Sequence, residues 1–258
     1  MPSPFAAPPT CSVVVPVKDD AAELRGLLEA LARQTVPPLE IIVVDNGSVD
    51  DSARIAAQAG CRVLSEPRPG IAAAASIGYD AARGDLILRC DADSRPGPTW
   101  VAAHRAAYQA PTRDREVVAV TGPARFRLPF PLDIVTSALY LGGYIVATGA
   151  ALGHVPLFGT TMSMRRTWWQ GVRGGVSASA EVHDDMDLSF QVRPHETVRF
   201  VRTVAVDMSP RAMRWGSLAD VRFRRAFTTL ARAWADEKPW ERWEHRLRHG
   251  RALGQDSR

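Results

Sequence analysis

The chain lacks several patterns that would name its chemistry directly. Three cysteines in 258 residues, Cys11, Cys61 and Cys90, form no Cys-x-x-Cys pair, which argues against a disulfide framework or a zinc site and fits a reducing compartment. There is no G-x-G-x-x-G loop and no G-x-x-x-x-G-K-[ST] loop, so a dinucleotide fingerprint and a P-loop are both missing. No internal repeat is visible, and no base-reading motif supports nucleic acid as a partner. The first ten residues are Pro/Ala-rich without a basic stretch leading into an apolar one, so no secretory leader is expected. Charge is missing altogether from the twenty residues between Ile134 and Gly153. Their length matches a bilayer span, but glycines at 142, 143, 149 and 153 predict a core or interfacial helical pair broken at those positions.

What is present is globular. A hydrophobic fraction of 46% with 23% charged residues is that of a folded domain, and the length suits one large α/β domain or a domain plus a tail. The net charge of +4 is unevenly placed. Twelve Arg/Lys against six Asp/Glu lie between Arg211 and Arg258, a local +6. The basic character therefore belongs to the tail.

Cys11–Val17 (CSVVVPV) and Glu40–Asp45 (EIIVVD) read as buried strands, with short strands expected at Arg62–Leu64, Asp85–Cys90 and Val117–Val120. Between them, Leu24, Leu27, Leu28 and Leu31 recur at helical spacing. Further helices are expected over Asp51–Ala59, capped by Ser48 or Asp50, over Ile71–Ala82, and over Pro98–Tyr108. Strands alternating with helices imply a mostly parallel sheet with both faces covered.

Asp91 and Asp93 stand one residue apart where the apolar run Leu86-Ile87-Leu88 ends. Alternate residues of an extended strand share a side, so the two carboxylates can share a divalent cation such as Mg²⁺ or Mn²⁺ together with substrate phosphates. Ligands of open α/β sheets bind beyond the carboxyl ends of the strands. Asp19 after the first strand, Asp45 at the end of the second, and Asp184-Asp185 far downstream add carboxylates at the ends or turns of predicted elements. Carboxylates converging on one edge are costly unless a cation or a donor-rich ligand meets them.

The ordered segments VVVPVKDD, VVDNGSVDDS, PGIAAAASIGYDAARGD, CDADSRPGP and HDDMDLSF resemble the inverting, GT-A-fold glycosyltransferases of family 2, over roughly Cys11 to Phe190. The resemblance implies a mostly parallel, Rossmann-like α/β sheet flanked by helices, with a C-terminal helical extension. It divides the chain into a catalytic domain over 1–210, with a nucleotide-binding half at 11–122 and an acceptor half at 123–210, and a tail over 211–258. It implies a nucleotide-diphosphate sugar as donor and a divalent cation (Mn²⁺ or Mg²⁺) as cofactor. By the same resemblance Pro16, Val17 and Asp19 meet the nucleoside, Asp45 the base, Asp91 the ribose and metal, and Asp93 the metal. Asp185 is similar to the family's catalytic base. The expected reaction is a single displacement with inversion onto a small or lipid-linked acceptor, one sugar at a time, on the cytoplasmic side. A nucleotide-sugar-binding module that has lost catalysis, and a nucleotidylyltransferase, are the alternatives.

Departures from the family pattern are visible too. Ala74-Ala75-Ser76-Ile77-Gly78 stands where an Ala-Arg-Asn-x-Gly segment is common, so a basic phosphate neighbour is missing and Arg68 is the candidate substitute. Asp184 replaces the Glu of a Glu-Asp pair. His183 is either a metal ligand or a turn histidine. Arg211 and Arg214 either clamp the diphosphate or make surface salt bridges, and Trp168 either contacts the acceptor or packs in the core. Ser217–Asp236 has Leu218, Val221, Phe227, Leu230 and Trp234 on one face and arginines on others. Such a helix fits an anionic membrane surface, or equally packing on the catalytic domain.

Overall fold

The computed structural model describes residues 7–110, 115–213 and 217–255. Seven strands form the main sheet, in the order β3-β2-β1-β4-β8-β6-β9. They are β1 (Cys11–Val17), β2 (Glu40–Asp45), β3 (Arg62–Ser65), β4 (Leu86–Arg89), β6 (Glu116–Thr121), β8 (Met162–Arg165) and β9 (Glu196–Phe200). Parallel pairing joins β1 to β2 and β4, β2 to β3, and β6 to β9, while β8 runs antiparallel between β4 and β6. A small second sheet orders β5 (Arg95–Pro96), β10 (Val206–Met208) and β7 (Ala124–Phe126).

The central strands β1 and β4 and the middle of β2 are mostly apolar because both faces are covered. Val13, Val15, Val17 and Leu88 pack with Leu24, Leu27 and Leu31 of α1 (Ala21–Ala32) and with Trp100 of α4 (Trp100–Ala107). The alternate residues Val14, Ile42, Val44 and Ile87 pack with Ala74, Ala75 and Tyr79 of α3 (Ile71–Ala81) and with Trp168 and Trp169 of α6 (Arg166–Val172). Gly78 lets α3 lie close on β1, since a Cβ there would stand 2.3 Å from Val14 Cγ1.

Chain order moves outward through β1, β2 and β3, then returns to the other side of β1 with β4. That reversal opens the crevice. The β1–β4 pairing ends at Val14 opposite Arg89, whereas β1 follows β2 as far as Val17 opposite Asp45. Pro16, which has no N–H to give a ladder, therefore falls where β4 has already parted from β1.

Helix α2 (Ser52–Gln58) has Asp51 at its N-cap without a side-chain cap bond. Of the two expected caps, Ser48 works elsewhere and Asp50 does both. Ser48 Oγ accepts the N–H of Asp19 at 3.0 Å. Asp50 accepts the N–H of Ser52, the first residue of α2, at 3.0 Å with one carboxylate oxygen and the N–H of Ala21, the first residue of α1, at 2.9 Å with the other.

The charge-free stretch is also corrected. It forms one unbroken helix, α5 (Leu132–Leu152), which ends at Gly153 in the left-handed conformation (φ 72°). Gly142 and Gly143 face open space, so nothing forces a break there, and glycine within a helix costs only about 1 kcal/mol.

Beyond the short α7 (Asp184–Phe190), the chain closes with α8 (Ser217–Asp236) and α9 (Pro239–Gln255), and both dock on the catalytic body. Thr229 Oγ accepts the N–H of His183 at 2.8 Å, and Arg232 reaches Asp187 at 2.7 Å. Arg242 donates to the carbonyls of Leu152, Phe190 and Val192, and Arg246 to that of Val192. Helix ends leave carbonyls unsatisfied, and a guanidinium reaching the ends of α5 and α7 answers that need. Arg242→Ala is expected to lower unfolding free energy by about 3 kcal/mol, the order found when a buried charge network loses one partner. Urea denaturation measures it, and a loss below about 1 kcal/mol would show that the docking is not part of the cooperative fold.

Candidate functional site

The carboxyl ends of β1 and β2 build the first part of the site. Asp19 sits at φ 51°, a left-handed conformation that Asp tolerates better than most residues. There its carboxylate accepts the N–H of Val49 at 2.7 Å. Asp45 ends β2 and accepts the N–H of Ser48 at 3.3 Å. Asn46 follows, donating to the carbonyls of Glu66 at 2.8 Å and Arg68 at 2.7 Å and accepting the N–H of Gly70 at 2.8 Å. Three loops are thus tied into one rim around Pro16, Val17, Asp19 and Asp45.

The second part is a cavity of about 350 Å³ bordered by Asp91, Asp93, His183, Asp184 and Asp185, with Arg89, Arg211 and Arg225 as its cations. Its apolar wall includes Ile71, Tyr140, Phe158, Val182 and Met208. Asp91 accepts from Thr160 Oγ1 at 3.0 Å and from Arg89 at 3.2 Å. Asp184, at the first position of α7, binds the other arm of Arg89. Asp185 accepts the N–H of Gly159 at 2.8 Å and pairs with His183 Nδ1 at 2.6 Å.

Electrostatics separates the four carboxylates. Burial would raise the proton affinity of Asp185, but the His183 and Arg89 charges and the Gly159 N–H hold it well below the usual carboxylate range. Burial likewise opposes charge on His183, and Asp185 overcomes it, so the two stand as an ion pair at neutral pH. Asp93 goes the other way. Burial first, then the neighbouring Asp91, pushes it up to about 6, against a partial pull from Arg211. Of Asp185 and Asp93, the second is the one whose charge the surrounding protein opposes.

Rim and cavity meet at Arg211, which binds Asp20 at 2.5 and 3.0 Å and Asp93 at 3.2 Å. The structure therefore brings Asp91, Asp93, Asp184, Asp185 and Arg211 into one cavity, and sets Pro16, Val17, Asp19 and Asp45 in the adjoining rim. Arg68 is not a free cation: it folds back onto its neighbour Glu66 at 2.8 Å. Trp168 is not at the cavity, because it is buried in the core with its indole N–H on Glu196 at 3.0 Å. Arg214 lies outside the described residues. For His183, the ring closes a cluster with Asp184 and Asp185 whose donor atoms lie within 4.8 Å of one another.

Arg89 and Asp20 are the residues that sequence reasoning missed. Arg89 had a readable signal: an arginine ending an otherwise apolar buried strand must find carboxylates. It is 2% exposed, and burial would discharge it, yet Asp184 above all, with Tyr79 and Asp91, keeps it charged. It is a buried cation on the wall of the cavity.

Comparisons with known proteins agree on the family. The sequence model described as Glycosyl transferase family 2 matches residues 12–166. A glycosyltransferase of Haloferax volcanii, AglE, is 31% identical over 101 residues, covering 36% of this chain and 33% of that protein. The undecaprenyl-phosphate 4-deoxy-4-formamido-L-arabinose transferase of Pseudomonas paraeruginosa is 38% identical over 97 residues, covering 34% and 29%. The matched stretch thus spans about a third of these relatives' length. Among solved structures, the mannosyltransferase PcManGT of Pyrobaculum calidifontis, in complex with GDP-Man and Mn²⁺, superimposes with a TM-score of 0.66 at 20% identity, covering 96% of this chain and 71% of that one. Glucosyl-3-phosphoglycerate synthase of Mycobacterium tuberculosis, with Mn²⁺, UDP and phosphoglyceric acid, gives 0.63 at 20% identity, covering 87% and 78%. The fold is GT-A, and with the family model matching more than half of its length, the chain belongs to glycosyl transferase family 2.

Proposed function

We propose that this chain transfers one sugar at a time from a nucleotide-diphosphate sugar to an acceptor, by a single displacement with inversion. The observation that carries this reading is the convergence of Asp91, Asp93, Asp184 and Asp185 on one cavity beside the Asp19/Asp45 rim. The rim offers a nucleoside its acceptors and backbone at the β1 and β2 ends. The diphosphate then lies toward Asp93, with Arg211 and Arg89 as neighbouring cations.

Asp93 and Asp91 fit a divalent cation. A carboxylate pushed up to about 6 by burial first and by its acidic neighbour second is one that gains from a cation, and oxygen ligands of this kind suit Mn²⁺ or Mg²⁺. When bound, the cation would neutralise charge developing on the leaving diphosphate. Asp184 and Asp185 are already matched by Arg89 and His183, which favours Asp93 and Asp91 over the His183 cluster as the holding pair.

Asp185 is the proton acceptor in this reading. It is buried, ionised and fixed by Gly159 N–H and His183, so neither its charge nor its aim depends on the substrate. With Asp91 and Asp93 given to the cation and Asp184 held by Arg89, no nucleophile is left among the described carboxylates of the cavity, which favours one displacement with inversion. The acceptor is a small molecule or a lipid-linked one, and the free thiols accord with the cytoplasmic side. A module that binds nucleotide sugars without catalysis is the second reading. The missing basic residue at Ala75 favours it, and the buried, ionised Asp185 argues against it.

Mn²⁺ together with the matching nucleotide-diphosphate sugar is expected to raise the melting temperature, since a ligand that binds only the folded state stabilises it by mass action. In Asp93→Asn the Mn²⁺-dependent part of that rise should vanish with the metal-free melting temperature kept; an undiminished Mn²⁺ shift would remove Asp93 from the metal site. Asp185→Asn should retain the donor-induced shift and lose transfer by roughly 10²–10⁴-fold. Transfer at the wild-type rate, or retained anomeric configuration in the wild-type product by NMR, would overturn the mechanism.

A further inference from the structure

Helix α5 is apolar on its outward side as well as its inward one. Surface helices of a folded domain bury their apolar stripe and expose their polar one. Here Leu141, Ala151 and Leu152 are buried together with the polar residues Asp133, Ser137 and Thr148, Asp133 on Arg125 and Ser137 Oγ on the N–H of Phe126 at 2.8 Å. The outward stripe, at steps of three and four, is Leu132, Val135, Leu139, Gly143, Val146 and Ala150. Leu139 and Val146 are each 72% exposed. The helix is 21 residues long, with a mean hydropathy of 1.5 and only 17% of its most apolar window buried. An uncharged face roughly 30 Å long is not what water selects, and such patches mark interaction sites.

The surroundings specify the partner. Trp243 donates its indole N–H to Ala150 at 2.8 Å, which seats α9 on the end of α5. Trp240, Trp243 and Leu247 remain exposed there beside Arg248, whose side chain is 72% accessible and reaches back to Glu244 at 2.5 Å. Tryptophan with arginine at the margin of an apolar strip is the composition of a membrane–water boundary, and a basic side chain at that margin is drawn to an anionic headgroup layer. A bilayer crossing does not fit, because the opposite stripe of α5 packs on β7 and α9 and Tyr140 on its flank borders the carboxylate cavity.

We propose that α5 lies flat on a bilayer with anionic headgroups, its Leu132–Ala150 stripe in the acyl boundary and the α9 Trp/Arg end at the headgroups. Tyr140 then brings the cavity to the lipid surface, where an amphiphilic acceptor can meet the donor. The docking goes beyond the transferase reading and is measured without turnover. The test is co-sedimentation of the full chain with vesicles of phosphatidylcholine alone and of phosphatidylcholine with phosphatidylglycerol. The wild-type chain is expected to pellet with the mixed vesicles, more weakly with the neutral ones. Leu139→Glu with Val146→Glu should lower that partition about tenfold or more at an unchanged melting temperature. Leu139→Asn, a gentler change at an exposed position, should move it in the same direction, and Arg248→Glu should weaken binding to the mixed vesicles alone. A wild-type chain that stays in the supernatant with both vesicles would overturn the proposal, as would a double variant that pellets like wild type. So would a wild-type dimer that the double variant dissociates without any vesicle binding, since a second copy would then own the stripe.

Discussion

One guanidinium holds the site together. Arg89 ends β4 with its side chain buried, one arm on Asp91 and the other on Asp184. The two acids are 93 residues apart in sequence, and Arg89 fixes the distance between the turn after β4, which carries Asp91 and Asp93 in place of the extended strand expected for them, and the helix that carries Asp185. Without it, the cavity would hold carboxylates in a low dielectric with too few cations, an arrangement that proteins avoid by neutralising or hydrating them. Gly159 is part of the same constraint. A Cβ there would stand 2.8 Å from the guanidinium carbon, so glycine makes room for Arg89 and at the same position offers its N–H to Asp185.

That arrangement divides labour among chemically identical groups. Asp184 is matched by Arg89, Asp185 by His183, and Asp91 is shared between Arg89 and Thr160. Asp93 is left with the longer bond of a guanidinium that already grips Asp20. Arg211 is also 42% accessible at its side chain, whereas Arg89 is buried. The interior pair is therefore fixed and the outer one exchangeable, as a site must be if a cation and a diphosphate are to enter at Asp93. The Asp20–Arg211–Asp93 chain has a second consequence. It joins the nucleoside rim to the metal pair, so a ligand that displaces Arg211 acts on both.

Much of this was legible in sequence, and the part that was not has identifiable reasons. β1 and β2 run as expected from end to end, because a strand buried on both faces writes itself as an uninterrupted apolar run. The acids were legible as well, since a carboxylate at a strand end is conspicuous. Pairings across the chain were not. The end of a buried apolar strand marks Arg89 as an arginine in need of acids, but no local pattern says which acids; Asp184 is brought to it by the fold from 95 residues away. Trp168 illustrates the same limit, for an aromatic beside a candidate site is as readily a core residue, and here Glu196 claims its indole. Hydropathy over 134–153 recorded an apolar stretch but not which stripe of α5 faces inward. Its glycines suggested breaks that the open space around them does not require.

The tail shows why net charge alone misleads. Its local +6 reads as a surface for acidic partners, yet Arg242 and Arg246 are 8% and 3% exposed and spend their donors on carbonyls at the ends of α5 and α7. Arg232 is bound to Asp187, and Arg225 borders the cavity. What remains outward at the end of α5 is a narrower set, Arg248 with Trp240, Trp243 and Leu247. The interior arginines hold α9 against α5, and that docking places this set at the margin of the uncharged stripe. A composition that looked like one diffuse basic surface therefore resolves into a structural half, which fixes where α9 sits, and an interfacial half, whose place on the molecule follows from the first.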